Sequence, residues 1–322
     1  MNAEVGDEKG GEDPTVNLLN EKVANLLGKE EAIFLPSGTM CNAIASHVFC
    51  GRGDEIILHH TAHTRMFETG GPAALSSAML HTVDGERGIF TGEQVINAIR
   101  PDDPHFPKSR LLWVEQTSNL AGGTIWSLEE IRDVCEVARE GKLVCHMDGA
   151  RLMNAVAATG ISACLFAEPF DSVWIDFSKG LGAPLGAGLA GSKSFIKEAI
   201  RRKFLMGGAM RQAGIVAAAA LYALENNIER LAEDHSNARI LYDGIRDVDG
   251  LLVREPETNM VFISLPDDGI TAHQFNEYLR KHGMRVSVIG RSLMRAVTHL
   301  DISTNDVHEA ISIVKHTARE CL

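Results

Sequence analysis

The sequence has no excess of positive charge: 31 lysines and arginines stand against 43 aspartates and glutamates, a net charge of −12. Both signs are mixed along the chain instead of forming blocks. That balance argues against a nucleic-acid binder and against a polybasic surface for membranes. Its six cysteines (Cys41, Cys50, Cys135, Cys145, Cys164, Cys321) form no CxxC pair, and no histidine cluster shows metal-ligand spacing along the chain. No structural zinc and no metal are expected, and scattered thiols in apolar surroundings read as small hydrophobes in a reducing compartment. The opening stretch, Met1 to Gly11, is polar and acidic and lacks the apolar run of a signal peptide. Ala213 to Leu224 is the longest apolar stretch and is too short to cross a bilayer. A cytoplasmic location is expected. There is no low-complexity tract and no internal repeat.

What is present is ample material for a core: 322 residues, 45% of them hydrophobic. Asp13-Pro14 opens a helix, with Asp13 as cap and Pro14 in the first turn, and Leu18, Leu19, Val23, Leu26 and Leu27 recur at helical spacing until Gly28. Ala32 to Leu35 reads as a strand, and Pro36-Ser37-Gly38-Thr39 leads into a helix ending near Cys50. Further strands are expected at Glu55–Leu58, Leu111–Glu115, Leu143–Met147, Ser172–Phe177 and Ala187–Ala190. Helices are expected at Leu128–Arg139, Ile196–Phe204 and Gly214–Leu224. Apolar strands alternating with amphipathic helices predict an α/β fold with a mainly parallel sheet covered on both faces. After about Asp234 the texture changes to a helix, a strand at Met260–Leu265, a helix at Ala272–His282, strands near Val286 and Ala296, and a last helix from Asn305. The expected organisation is a large domain over 1–233 and a small α+β domain over 234–322.

Three short segments carry chemistry. Ser37-Gly38-Thr39 lies between a strand and a helix, where free N–H groups favour a bound anion and glycine permits close approach. Asp148-Gly149-Ala150-Arg151 ends an apolar strand, the edge where open α/β sheets bind ligands. Ser178-Lys179-Gly180 ends the next strand, and burial of a lysine there favours the neutral amine that imine formation needs. Each has an ordinary reading as well: a strand-to-helix turn, a helix cap, a lysine emerging to solvent. Jointly they predict a pyridoxal 5′-phosphate enzyme. Lys179 would carry the cofactor as a Schiff base, Asp148 would keep the pyridine nitrogen protonated, and Ser178 would offer its hydroxyl to the phosphate. The separation of Asp148 and Lys179, 179 − 148 = 31 residues, is one helix plus one strand, so both can meet at one edge of the sheet.

The segments Gly11-Glu12-Asp13-Pro14-Thr15, Pro36-Ser37-Gly38-Thr39-Met40, Asp148-Gly149-Ala150-Arg151, Ser178-Lys179-Gly180-Leu181, Gly207 to Gly214 and Val297-Thr298-His299 together resemble the threonine aldolases. These belong to the β-eliminating lyase group with the aspartate-aminotransferase fold (fold type I). The resemblance runs from about Glu4 to the end of the chain. It implies a large domain with a seven-stranded, mainly parallel sheet and retro-aldol cleavage of a 3-hydroxy amino acid to glycine and an aldehyde. It also implies that His63 stacks on the pyridine ring and that Glu68 lies near it. By the same resemblance Arg151 and Arg295 bind the substrate carboxylate, for which a bidentate guanidinium is suited. Arg211 reaches the phosphate of a neighbouring subunit, which makes the expected assembly a homodimer or homotetramer with shared sites.

The chain departs from the family pattern in three places. The family's Arg-Ser-Asp-Thr segment before Glu4 is expected to be missing, and Gly10 stands where most members have tyrosine. Ser118, in Glu115-Gln116-Thr117-Ser118-Asn119, replaces a histidine that touches the substrate hydroxyl. Alternatives on the same scaffold are alanine racemisation, β-elimination and a catalytically impaired cofactor-binding homologue.

Overall fold

Asp13 opens the first helix, Pro14–Leu27, in the computed structural model, which describes residues 3–322. Its carboxylate accepts from the backbone N–H of Thr15 and Val16 at 3.1 Å each, and from Gly214 at 2.8 Å. One side chain therefore caps this helix and ties it to the helix Gly214–Asn226. Leu19, Val23 and Leu27 are buried as the spacing predicts, whereas Leu18 faces outward. Gly28, at φ 62°, closes the helix in the left-handed conformation.

Seven strands form the main sheet: β1 (Glu31–Leu35), β2 (Glu55–His59), β3 (Met79–Val83), β4 (Ser109–Glu115), β5 (Val144–Gly149), β6 (Ser172–Asp176) and β7 (Ala187–Gly191). Their spatial order is β1-β7-β6-β5-β4-β2-β3. Neighbours from β6 to β3 are parallel, while β7 runs antiparallel to both β6 and β1. Every residue of β2, β6 and β7 is buried, as expected where helices cover both faces. β3 is not expected from the sequence. It is an edge strand in which only Val83 is buried, so it carries no apolar run to betray it.

The described chain divides into two compact units, Met1–Ile228 and Glu229–Leu322. The helix Leu231–Ile245 lies wholly in the second unit, with Leu231 fully buried and Arg230 paired to Asp234 at 2.7 Å. There β8 (Leu252–Arg254), β9 (Met260–Ser264), β10 (Ser287–Val288) and β11 (Leu293–Val297) make an antiparallel sheet in the order β10-β11-β9-β8. The helices Leu231–Ile245, Ala272–Lys281 and Thr304–Cys321 bury Leu241, Ile245, Phe275, Leu279 and Val314 with Val261, Ile263 and Met294 of the sheet. Among the described residues, no helix is long and apolar enough to cross a membrane.

Candidate active site

Strand register aligns the carboxylates and the lysine of the large unit. Glu115 is opposite Asp148 across β4 and β5, Asp148 is opposite Trp174 across β5 and β6, and Asp176 ends β6 just before Lys179. All lie at the C-terminal ends of parallel strands, the edge at which such sheets bind ligands.

A buried amide organises this edge. Asn42, in the helix Gly38–Phe49, donates from one Nδ2 to Asp148 Oδ2 at 2.9 Å and to Glu68 Oε1 at 2.7 Å. Its Oδ1 accepts from Trp174 Nε1 at 2.6 Å, which fixes which way the amide points. Glu68 also accepts from His63 Nδ1 at 2.9 Å and from Thr64 Oγ1 at 3.0 Å. The four side chains therefore form one hydrogen-bonded line: Asp148, Asn42, Glu68, His63. His59 bonds Thr61 and the Gly85 carbonyl, and His60 pairs with Asp84, so only the third histidine of the cluster joins the line. Sequence position could not separate the three.

The electrostatics follow from burial. The bond to Glu68 raises the His63 pKa above the usual imidazole value, with desolvation opposing it. With Nδ1 held by Glu68, Nε2 is the nitrogen free to exchange a proton. Burial raises the Asp148 carboxyl pKa, and the Asn42 bond works to lower it. Glu115 is pushed up to about 8, first by burial and then by the charge of Asp148. Burial lowers the Arg151 pKa, against the pull of Glu115, Asp176 and Asp148.

The imidazole of His63 and the carboxylates of Glu68 and Asp148 have ligand atoms within 4.8 Å of one another. That spacing could hold a cation, but the Asn42 amide nitrogen already bonds both carboxylates and occupies the position between them.

Lys179 differs from the sequence expectation in one respect. Its side chain is 34% exposed and Nζ pairs with Asp176 Oδ2 at 2.9 Å, so it is not a desolvated amine. Ser178 turns its hydroxyl to the other oxygen of Asp176, at 2.7 Å. Ser37 is the cap of its helix, accepting from Met40 N–H at 3.3 Å, and Gly38 begins the helix with Thr39 exposed beside it. A Cβ on Gly38 would lie 2.2 Å from the Trp174 ring, so only glycine lets the helix start so close to the site.

Ser118 is buried, and its Oγ would sit 2.0 Å from a Cβ placed on Gly88. It packs against the turn at Glu86–Ile89. Arg211 is exposed and bonds Asp7 Oδ2 at 2.8 Å within the same chain. In the second unit Arg295 lies on β11 and lines a concavity of about 670 Å³ with Arg280, Arg285, His273 and His299.

Asn42, Asp176 and Glu115 were not singled out from sequence. Asp176 and Glu115 had a usable signal, a lone charge at the end of an apolar strand.

The donor set suits pyridoxal phosphate: a helix N-terminus opened by a glycine, a buried carboxylate held by an amide, and an amine one strand away. A sheet of this order carrying such an edge defines the α/β enzymes of fold type I. The chain belongs to the beta-eliminating lyase family, which it matches over residues 1–268. It is 41% identical over 310 residues to the low specificity L-threonine aldolase of Escherichia coli O157:H7, covering 96% of this chain and 91% of that one. It is 33% identical over 291 residues to the alanine racemase TOXG of Cochliobolus carbonum, covering 87% and 74%. The solved threonine aldolase of Leishmania major shares the fold, with a TM-score of 0.84 at 20% identity over 99% of this chain and 93% of that one.

Proposed function

We propose that this chain is a pyridoxal-phosphate-dependent aldolase cleaving a 3-hydroxy-L-amino acid of the threonine or allo-threonine type to glycine and an aldehyde. The observation that carries the reading is the hydrogen-bonded line from Asp148 through Asn42 and Glu68 to His63, beside Lys179. When bound, the cofactor supplies an electron sink for the carbanion left at Cα.

Lys179 holds the cofactor covalently, and Asp148 presents a carboxylate to the pyridine nitrogen. The N–H groups of Gly38 and Thr39, with Ser37 and Ser178, hold the phosphate. Arg211 completes that cradle from a neighbouring subunit in a homodimer or homotetramer, and must exchange its bond to Asp7 to do so. Arg151 and Arg295 bind the substrate carboxylate. His63 would face the bound cofactor, and its Nε2 would receive the proton of the β-hydroxyl while Glu68 stabilises the imidazolium. Ser118 cannot act as a base near neutral pH. Threonine and allo-threonine are therefore cleaved at rates within about tenfold, which is ~1.4 kcal/mol of barrier.

The test is aldehyde release from L-threonine and L-allo-threonine by the holoenzyme, with alanine racemisation measured in parallel because of the racemase relative. Cleavage of both isomers, abolished in Lys179→Ala, is expected. Racemisation without aldehyde release would move the assignment to the racemase.

A further inference from the structure

On the second unit His282 ends the helix Ala272–Lys281, and His316 and Glu320 lie one turn apart on the helix Thr304–Cys321. His316 Nε2 is 3.3 Å and His282 Nε2 3.8 Å from the two oxygens of Glu320, and the imidazole rings meet edge to face at 5.0 Å. The three ligand atoms fall within 4.8 Å of one another. As ion pairs these contacts explain little: all three side chains are well exposed, and such pairs are worth about 0–1 kcal/mol. Two imidazoles and a carboxylate are the donor types that a divalent transition metal takes.

We propose that His282, His316 and Glu320 form a three-ligand site for a divalent transition metal, zinc being the best match, that clamps the last helix of the chain to the helix Ala272–Lys281. Zinc bonds of about 2.0–2.1 Å in tetrahedral geometry place ligand atoms roughly 3.3 Å apart. The His316–Glu320 pair already has that separation, His282 Nε2 approaches the other oxygen of Glu320 at 3.8 Å, and side-chain rotation has to close ligand atoms that now lie within 4.8 Å of one another. The backbones are fixed by Leu279 on one helix and by Val314 and Ala318 on the other, all in the core of this unit. Water takes the fourth position. Two nitrogen donors select zinc, copper or nickel over magnesium and calcium, which prefer oxygen.

The experiment is equilibrium dialysis of the chelator-stripped, cofactor-loaded full chain against zinc chloride, with melting curves before and after EDTA. One equivalent bound by the wild type, at least tenfold weaker in His316→Asn, His282→Asn and Glu320→Gln and unchanged in His63→Asn, is expected. Zinc should raise the wild-type melting point reversibly and leave that of the three variants unmoved. The variants' metal-free melting points serve as the check that they fold, and any one folded variant suffices. Unchanged zinc uptake in the folded variants, loss of zinc in His63→Asn, or displacement by millimolar magnesium would overturn the site.

Discussion

Asn42 shows how one side chain can govern a site without reacting. It donates to two carboxylates and accepts from an indole, all buried, so Asn42→Ala removes three hydrogen bonds at once: the Trp174 N–H loses its acceptor, Glu68 keeps only His63 and Thr64, and Asp148 keeps the Ala150 N–H. Leaving a buried group unpaired costs about 1–3 kcal/mol, and the three are not additive because they share a cavity. The Asn42 bond also lowers the Asp148 pKa, so its loss lets that carboxyl hold a proton to higher pH. Asn42→Ala should therefore move the acid limb of the pH–rate profile upward, with turnover partly recovering in mild alkali. A uniform fall at every pH would make Asn42 a packing residue only. Asp148→Asn tests the other end of the bond: turnover should fall at least about a hundredfold, the size of losing a key electrostatic contact. A near-wild-type rate would reduce Asp148 to a turn former. Lys179 and Asp148 were legible because each follows an apolar strand. Asn42 was not, because its partners lie 106 and 132 residues away and an asparagine in an apolar helix has no local signature.

The helices and strands were legible where their apolar period was strong; what failed were short helices such as Gly92–Ala98 and Ala163–Ala167, and strands whose evidence lies in pairing. β3 owes its place to parallel pairing with β2, and β8 to β9, neither visible in a short half-exposed run. The start of the helix Gly38–Phe49 is the element on which the site depends most. A methyl on Gly38 would meet the Trp174 ring at 2.2 and 2.4 Å, and that ring holds Asn42. Gly38→Ala should cost about 1–3 kcal/mol of overpacking and loosen the amide. A lowered melting point together with weaker cofactor retention is the expected pair of results, and an unchanged protein would show that the ring moves freely. The helix Pro14–Leu27 offers a separate check. Because Asp13 satisfies N–H groups of two helices, Asp13→Ala should cost more than the ~1 kcal/mol of an ordinary cap.

Protonation couples the site to the stability of the chain. Glu115, pushed up to about 8 from an ordinary value of 4.5, binds a proton more tightly folded than unfolded, and Asp148 and His63 are raised in the same sense. A group raised on folding stabilises fully below its unfolded pKa, and that contribution is lost as pH climbs through the folded value. Buried neutral histidines work the other way. His146 is lowered to about 3 by desolvation, and His59 and His235 are also lowered, so they make stability rise with pH up to the ordinary imidazole value of 6.5. Above that value their effect is complete, and the raised groups are opposed by the lysines Lys29 and Lys203, which desolvation lowers from an ordinary 10.5. The buried thiols Cys50 and Cys135 have raised pKa values from an ordinary 9.0, which keeps their effect in more alkaline solution. Between pH 6.5 and 8 the cofactor-free protein should therefore lose thermal stability steadily. Glu115→Gln keeps the shape of the protonated acid and has no proton to lose, so its melting point should fall less over the same interval. The measurement is the melting midpoint of both proteins at half-unit steps of pH. If the variant declines as steeply as the wild type, Glu115 is already ionised in the folded chain, held so by Arg151 and His63 against its burial.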